Sequence, residues 1–132
     1  MSTDAIRCVL LADRHHGLSE GIRGLLESEF DAVVMVADET SLVESAVRLQ
    51  PNLVVADLAL TRGDCFGWLQ RLLVRCPGSR VIVLSAHDDP SVEQAAFKAG
   101  AAGFVRKREI ATQLLAAVST VVAGQIYSSS HN

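Results

Sequence analysis

Residues 51–67 read PNLVVADLALTRGDCFG, and this stretch decides the fold. Four consecutive apolar residues at positions 53–56 lead directly into the carboxylate of Asp57. A short apolar run after a Pro-Asn turn signal is typical of a strand buried on both faces of a parallel sheet. In open α/β sheets, ligands and chemistry collect at the carboxyl ends of such strands. Asp57 is therefore the first candidate for a functional residue; the alternative is that it only caps the helix that follows.

Similar apolar runs recur along the chain, and helical patterns separate them. The runs at 7–12, 32–36, 81–84 and 103–105 predict four more strands. Apolar residues at helical spacing between and after the runs predict five helices. The alternation predicts an α/β fold with a doubly wound five-stranded parallel sheet, in the order 2-1-3-4-5, flanked by five helices.

In that strand order, the ends of four strands converge on one crevice. The sequence directs five polar residues to it, namely Asp13, Arg14, Asp57, Ser85 and Lys107. These residues place two carboxylates, a hydroxyl and two cations at one edge of the sheet, where a ligand is expected to bind.

The composition predicts one domain that stays in the cytoplasm. The chain has 132 residues and a formal net charge of −3, which argues against direct nucleic-acid binding by this domain. Its three cysteines include no C-x-x-C pair and are expected to be buried free thiols. No apolar run approaches the roughly 18 residues that span a membrane, and the N-terminus has no signal-peptide core.

Four segments carry a resemblance to a known family. In chain order they read VLLADRHHGLSEGIRGLL, PNLVVADLAL, VIVLSAHDD and AGAAGFVRK. Together they resemble the receiver domain of response regulators, with its CheY-like, flavodoxin-like fold, and most closely its NarL/LuxR-type branch. The resemblance implies a receiver domain over residues 1–127, with 128–132 as a flexible tail or the start of a linker.

The resemblance also implies a function in two-component signal transduction. Asp57 would accept a phosphoryl group from a sensor histidine kinase, making the protein a phosphoprotein. Ser85 and Lys107 would be the other catalytic residues, and Ser85 and Phe104 the switch. The domain would be regulatory, catalysing at most its own phosphorylation and dephosphorylation. Its output would be transcriptional, through a C-terminal DNA-binding domain beyond this chain.

Arg14 departs from the pattern of that family. It stands where a second acidic residue is usual, next to Asp13. The resemblance implies a Mg²⁺ site formed by Asp13, Asp57 and the Ala59 carbonyl, and Arg14 is expected to weaken or abolish it. The alternative function is a phosphorylation-independent interaction module in which Arg14 pairs with Asp57.

The fourth predicted helix has only a weak apolar stripe. It consists of small residues and one valine, namely Val92, Ala95, Ala96 and Ala99. Such a stripe leaves surface that two states can cover differently, so we expect a partner or homodimer face formed by the fourth helix, the fifth strand and the fifth helix. Some receivers of this branch instead dimerise through their first and fifth helices.

Three other groupings are disfavoured. A hydrolase triad of Asp57, Ser85 and His87 lacks the G-x-S-x-G turn. His15 and His16 are adjacent residues, which rarely point at one metal ion. The basic run at 106–108 is more typical of a solvated turn with one functional lysine than of a nucleic-acid contact.

Overall fold

The computed structural model describes residues 7–14, 16–60, 66–86 and 89–128; the side chains of His16 and Leu18 lie outside the described part. Strands β1 to β6 are Cys8–Ala12, Ala32–Val36, Leu53–Asp57, Arg80–Ser85, Gly103–Arg106 and Tyr127–Ser128. Helices α1 to α5 are His16–Leu26, Glu39–Leu49, Gly67–Arg75, Pro90–Lys98 and Ile110–Val122. Short 3₁₀ helices at Leu58–Leu60 and Lys107–Glu109 follow β3 and β5.

The strands form one parallel sheet in the order β2-β1-β3-β4-β5-β6. The first five confirm the predicted order, and all five residues of the central strand β3 are buried. The sixth strand was not predicted. Ser128, the first residue of the predicted tail, belongs to it and pairs with Phe104 of β5, whereas residues 129–132 lie outside the described part. A two-residue strand is too short to show an alternating pattern in a sequence.

Successive residues of the central strands point to opposite faces of the sheet and form two apolar cores. Leu53 and Val55 pack in the core beneath α1 and α5. Val54 and Ala56 pack in the core beneath α2, α3 and α4, which also contains the single tryptophan, Trp68. Within the described residues, no helix is long and apolar enough to cross a membrane.

Helix α4 packs most of its predicted stripe against the core, through Val92, Ala96 and Ala99. Asp89 caps it, accepting a hydrogen bond of 2.9 Å from the Ser91 amide. The buried residues are Glu93 and Ala96, whereas Ala95 of the predicted stripe is exposed. A glutamate is buried because the chain's C-terminal strand supplies it with a hydrogen-bond donor.

Two of the three cysteines lie in the described part of the chain, and both are free thiols. Cys76 is buried as expected. Cys8 is only partly buried, and that burial raises the pKa of its thiol. Cys65 lies outside the described residues.

Candidate functional site

Asp57 is the last residue of β3 and is 1% exposed. Its Oδ1 accepts a hydrogen bond of 3.0 Å from the Ala59 amide, so the carboxylate does cap the short turn that follows. Its Oδ2 lies 2.8 Å from Lys107 Nζ. One oxygen is therefore held by the backbone and the other by a cation, which fixes the orientation of the carboxylate and balances its charge.

Lys107 lies at the end of β5, and its side chain reaches back over the ends of the neighbouring strands. Besides Asp57, its ammonium lies 3.5 Å from Asp13 Oδ2. The Asp13 side chain is fully buried, and the Lys107 side chain is 16% exposed. One ammonium thus lies between two buried carboxylates from β3 and the end of β1, which confirms that these three residues meet at one edge of the sheet.

Ser85 and Phe104 are both completely buried. Ser85 ends β4 one residue beyond Leu84, the register partner of Asp57, so its hydroxyl belongs to the same edge. Phe104 pairs with Val83 and packs in the core beneath α2, α3 and α4. The predicted switch residues therefore lie on adjacent strands, with the aromatic ring turned into the core.

Arg14 is exposed and directs its guanidinium toward the turn after β3. Its Nη1 donates a long hydrogen bond of 3.5 Å to the Ala59 carbonyl oxygen. Among the described contacts Arg14 is not paired with Asp57, which differs from the alternative interpretation. The cation that contacts Asp57 Oδ2 is Lys107, at 2.8 Å.

The three predicted metal ligands can be tested against this geometry. Lys107 lies against Asp57 and Asp13, and Arg14 lies against the Ala59 carbonyl. Mg²⁺ requires near-octahedral oxygen ligands at about 2.1 Å. Within the described residues, no cluster of three or more His, Cys, Asp or Glu side chains is placed to hold a metal. As arranged, Lys107 and Arg14 contact these three groups, so Mg²⁺ would have to compete with two cationic side chains to bind there.

The disfavoured groupings gain no support from the described residues. His15 and His87 lie outside them, as does the side chain of His16. The basic run divides into three environments, with Lys107 in the carboxylate site, Arg106 half-buried and Arg108 exposed. The run is therefore not one continuous basic surface.

Sequence reasoning missed a second polar contact, at the outer edge of β5. Glu93 of α4 is 5% exposed, and Ser128 of β6 donates a hydrogen bond to its carboxylate. The sequence contains only a weak indication of a strand here: Ile126 and Tyr127 lie between Gly124 and a run of serines. This contact lies apart from the Asp57 site.

Comparison with known proteins gives a consistent result. Residues 9–119 match the family model described as the response regulator receiver domain. The transcriptional regulatory protein DegU of Brevibacillus brevis is 31% identical over 121 residues, which are 90% of this chain and 51% of DegU. The transcriptional regulatory protein MctR of Rhizobium johnstonii is 28% identical over 126 residues, which are 92% of this chain and 58% of MctR. The chain thus spans little more than half the length of these relatives.

Solved structures agree with this match. A LuxR-family two-component response regulator from Aurantimonas sp. SI85-9A1 superposes with a TM-score of 0.83 at 25% identity, covering 93% of this chain and 89% of that one. A LuxR-family DNA-binding response regulator from Silicibacter pomeroyi gives 0.78 at 27% identity, covering 92% of this chain and 96% of that one. The chain therefore belongs to the response regulator receiver domain family, in its NarL/LuxR-type branch.

Proposed function

We propose that Asp57 accepts a phosphoryl group from a sensor histidine kinase and that this modification controls a downstream output. The observation that carries the proposal is the placement of Asp57, buried at the end of the central strand with its Oδ2 2.8 Å from Lys107 Nζ. Receiver domains are regulatory rather than classical enzymes. Here the only reactions proposed are the domain's own phosphorylation and dephosphorylation.

The proposed reaction is a single phosphoryl transfer. A carboxylate oxygen of Asp57 forms a bond to phosphorus while the bond between phosphorus and the kinase histidine nitrogen breaks, and the imidazole keeps the bonding pair. Lys107 stabilises the phosphoryl oxygens, because its ammonium already lies at the carboxylate. The neutral Ser85 hydroxyl donates a hydrogen bond to a phosphoryl oxygen, which is the third catalytic contact of the proposal.

The response to phosphorylation is proposed to run through β4 and β5. Ser85 pairs with Arg106, and Val83 pairs with Phe104, so the two strands are joined in register. When the Ser85 hydroxyl moves toward a phosphoryl group, the end of β4 moves with it. Phe104 is the aromatic residue whose packing then changes, which turns a local charge into a shape change.

Arg14 is proposed to take part of the role that a metal ion has in related domains. Receiver domains generally bind Mg²⁺ at the phosphorylation site, but here two cationic side chains contact the predicted ligands. A planar guanidinium is permanently charged and suits a phosphoryl group as a ligand. We therefore expect Mg²⁺ to be weakly bound. We also expect phosphorylation of this domain to depend on Mg²⁺ less than phosphorylation of related receiver domains does.

The output is proposed to be transcriptional. Relatives that carry the name of transcriptional regulators are nearly twice as long as the matched region, and the Silicibacter pomeroyi protein is named a DNA-binding regulator. A DNA-binding domain beyond residue 132 would receive the signal. The kinase partner and a cytoplasmic location are parts of the same proposal.

A homodimer is proposed to form across α1 and α5. A groove of about 360 Å³ lies between them, and its lining is mainly small and apolar but includes two cationic side chains: Gly17, Gly21, Ile22, Leu25, Ile110, Ala111, Lys107 and Arg108. The other predicted face, formed by α4, β5 and α5, is partly covered by β6. Sedimentation should therefore show that Leu25→Glu lowers self-association, while charge reversal at Lys98 on α4 leaves it unchanged.

The phosphoacceptor assignment is tested by chemical phosphorylation. Incubation with acetyl phosphate, with and without Mg²⁺, should place one phosphoryl group on Asp57, as mapped by mass spectrometry. Asp57→Asn should abolish the modification, whereas the matched variant Asp13→Asn should retain it at Asp57. Modification of Asp13, or labelling that persists in Asp57→Asn, contradicts the proposal. A complete lack of labelling would favour the phosphorylation-independent interaction module, which the existing Lys107–Asp57 ion pair also suits.

A further inference from the structure

The chain returns to the sheet after its last helix. Helix α5 ends at Val122, and Gly124 adopts a φ of +95°, a conformation that favours glycine. Arg80 stabilises this reversal, because its Nη1 donates a hydrogen bond of 3.1 Å to the Val121 carbonyl. The Tyr127 amide then donates to the Ala102 carbonyl at 2.9 Å, and β6 runs parallel to β5.

The two residues of β6 direct their side chains to opposite sides of the sheet, as neighbouring strand residues do. The Tyr127 hydroxyl donates to Oε1 of Gln113 on α5 at 2.8 Å. The Ser128 hydroxyl donates to the Glu93 carboxylate on α4. The short strand is therefore attached to the helix on each side of it as well as to β5.

Glu93 explains why this arrangement is specific. A carboxylate that is 5% exposed is costly unless it accepts hydrogen bonds, and Ser128 supplies one. The β5 edge also has a row of backbone donors and acceptors that need partners. The β5 edge, with α4 on one face of the sheet and α5 on the other, thus matches a strand that carries an aromatic hydroxyl next to a small hydroxyl.

We propose that the β5 edge is a binding site for a short strand, that residues 127–128 of this chain are its occupant, and that Glu93 selects a hydroxyl side chain opposite it. Any partner, including a second copy of the chain, would reach this edge only in place of β6. The inference rests on contacts outside the Asp57 site. It therefore holds or fails independently of phosphorylation.

The test compares the wild-type chain with Ser128→Glu, which places a second carboxylate against Glu93. The first readout is the hydrogen exchange of the Tyr127 amide, followed by NMR. We expect slow exchange in the wild type and exchange at least about tenfold faster in Ser128→Glu, equivalent to about 1.4 kcal/mol. Gln125→Glu is the matched control, since it adds the same charge at an exposed position and should leave the rate unchanged.

The second readout uses the single tyrosine of the chain. Burial, and then the charge of Glu109, raises the pKa of Tyr127. The pKa of Tyr127, measured by absorbance titration, should return toward its ordinary value in Ser128→Glu and should stay raised in Gln125→Glu. Fluorescence of the buried Trp68 checks that each variant remains folded.

Rescue separates a direct contact from a general structural effect. Glu93→Gln removes the like-charge repulsion, so the double variant Glu93→Gln/Ser128→Glu should recover at least about half of the lost protection. If Ser128→Glu does not fold, Ser128→Ala should show a smaller change in the same direction. The proposal is overturned if the wild-type Tyr127 amide exchanges at the rate of an unstructured peptide. Unchanged exchange in a folded Ser128→Glu, or no recovery in the double variant, also overturns it.

Discussion

Asp57 and Glu93 are both buried carboxylates, but they lie at different edges of the same sheet and have different partners. Asp57 faces the Lys107 ammonium at the carboxyl ends of the strands. Glu93 faces the Ser128 hydroxyl at the outer edge of β5. A carboxylate held by a cation is ready to receive an anionic group, because the cation also stabilises the product. A carboxylate held by a neutral hydroxyl instead fixes one strand beside another.

The two sites share one element. Strand β5 pairs with β6 along its outer edge and continues directly into Lys107. Phe104 lies on that strand opposite Ser128. Movement of β5 at the Asp57 site would therefore also displace β6.

The largest expected effect tests the cation at Asp57. Lys107→Met removes the charge between two buried carboxylates, so we expect the free energy of unfolding to fall by about 3 kcal/mol at neutral pH. Urea denaturation followed by Trp68 fluorescence measures it. Arg108→Met, at the adjacent exposed position, should change the stability little.

A second variant sharpens the same prediction. Asp13→Asn in the Lys107→Met background removes one of the two repelling charges and should recover part of the loss. A loss below about 1 kcal/mol in Lys107→Met would mean that solvent, rather than the ammonium, balances Asp57.

The next effect concerns Arg14, which stands where the resemblance implies a second acidic residue. Arg14→Asp should tighten Mg²⁺ binding at least about tenfold, or about 1.4 kcal/mol, because it adds an oxygen ligand and removes a competing charge. Calorimetry measures the affinity. Arg14→Gln removes the charge without adding a carboxylate, and it should fall between the other two proteins. Equal affinity in all three would place Arg14 outside the site.

The smallest expected effect concerns the attachment of β6 to α5. Tyr127→Phe removes the hydrogen bond to Gln113, so the local free energy of opening at β6 should fall by about 1 kcal/mol. Amide exchange at residue 127 measures it. Exchange unchanged from the wild type would show that backbone pairing alone holds the strand.

The same tyrosine predicts a dependence on pH. Burial raises its pKa, so the folded state holds this proton more tightly than the unfolded chain does. The stabilisation is fully present below the ordinary value of 10.0 and is lost as the pH rises through the raised pKa. Wild-type protection of β6 should fall in that range, and Tyr127→Phe, which has no such group, should show no corresponding loss.

Most of the fold follows from local patterns in the sequence. The run at 53–56 predicts the central strand because a strand buried on both faces contains only apolar residues. The stripe of Ile110, Leu114, Ala117, Val118 and Val121 predicts the buried face of α5, and all five are buried. The convergence of Asp13, Asp57 and Lys107 followed from the strand order, since the ends of parallel strands meet at one edge.

The sequence by itself determined the first five strands to within one residue at each end, and the positions of Asp13 and Asp57 at their carboxyl ends, because these depend on neighbours along the chain. The tertiary structure decided the direction of Arg14, the burial of Glu93 and the existence of β6. Glu93 lies 35 positions from Ser128, and without that donor a glutamate in a weakly patterned helix is predicted to be exposed. Arg14 has a long side chain with several accessible directions, and its contact with the Ala59 carbonyl joins residues 45 positions apart. Contacts between residues far apart in sequence decide these features, and local periodicity contains no record of them.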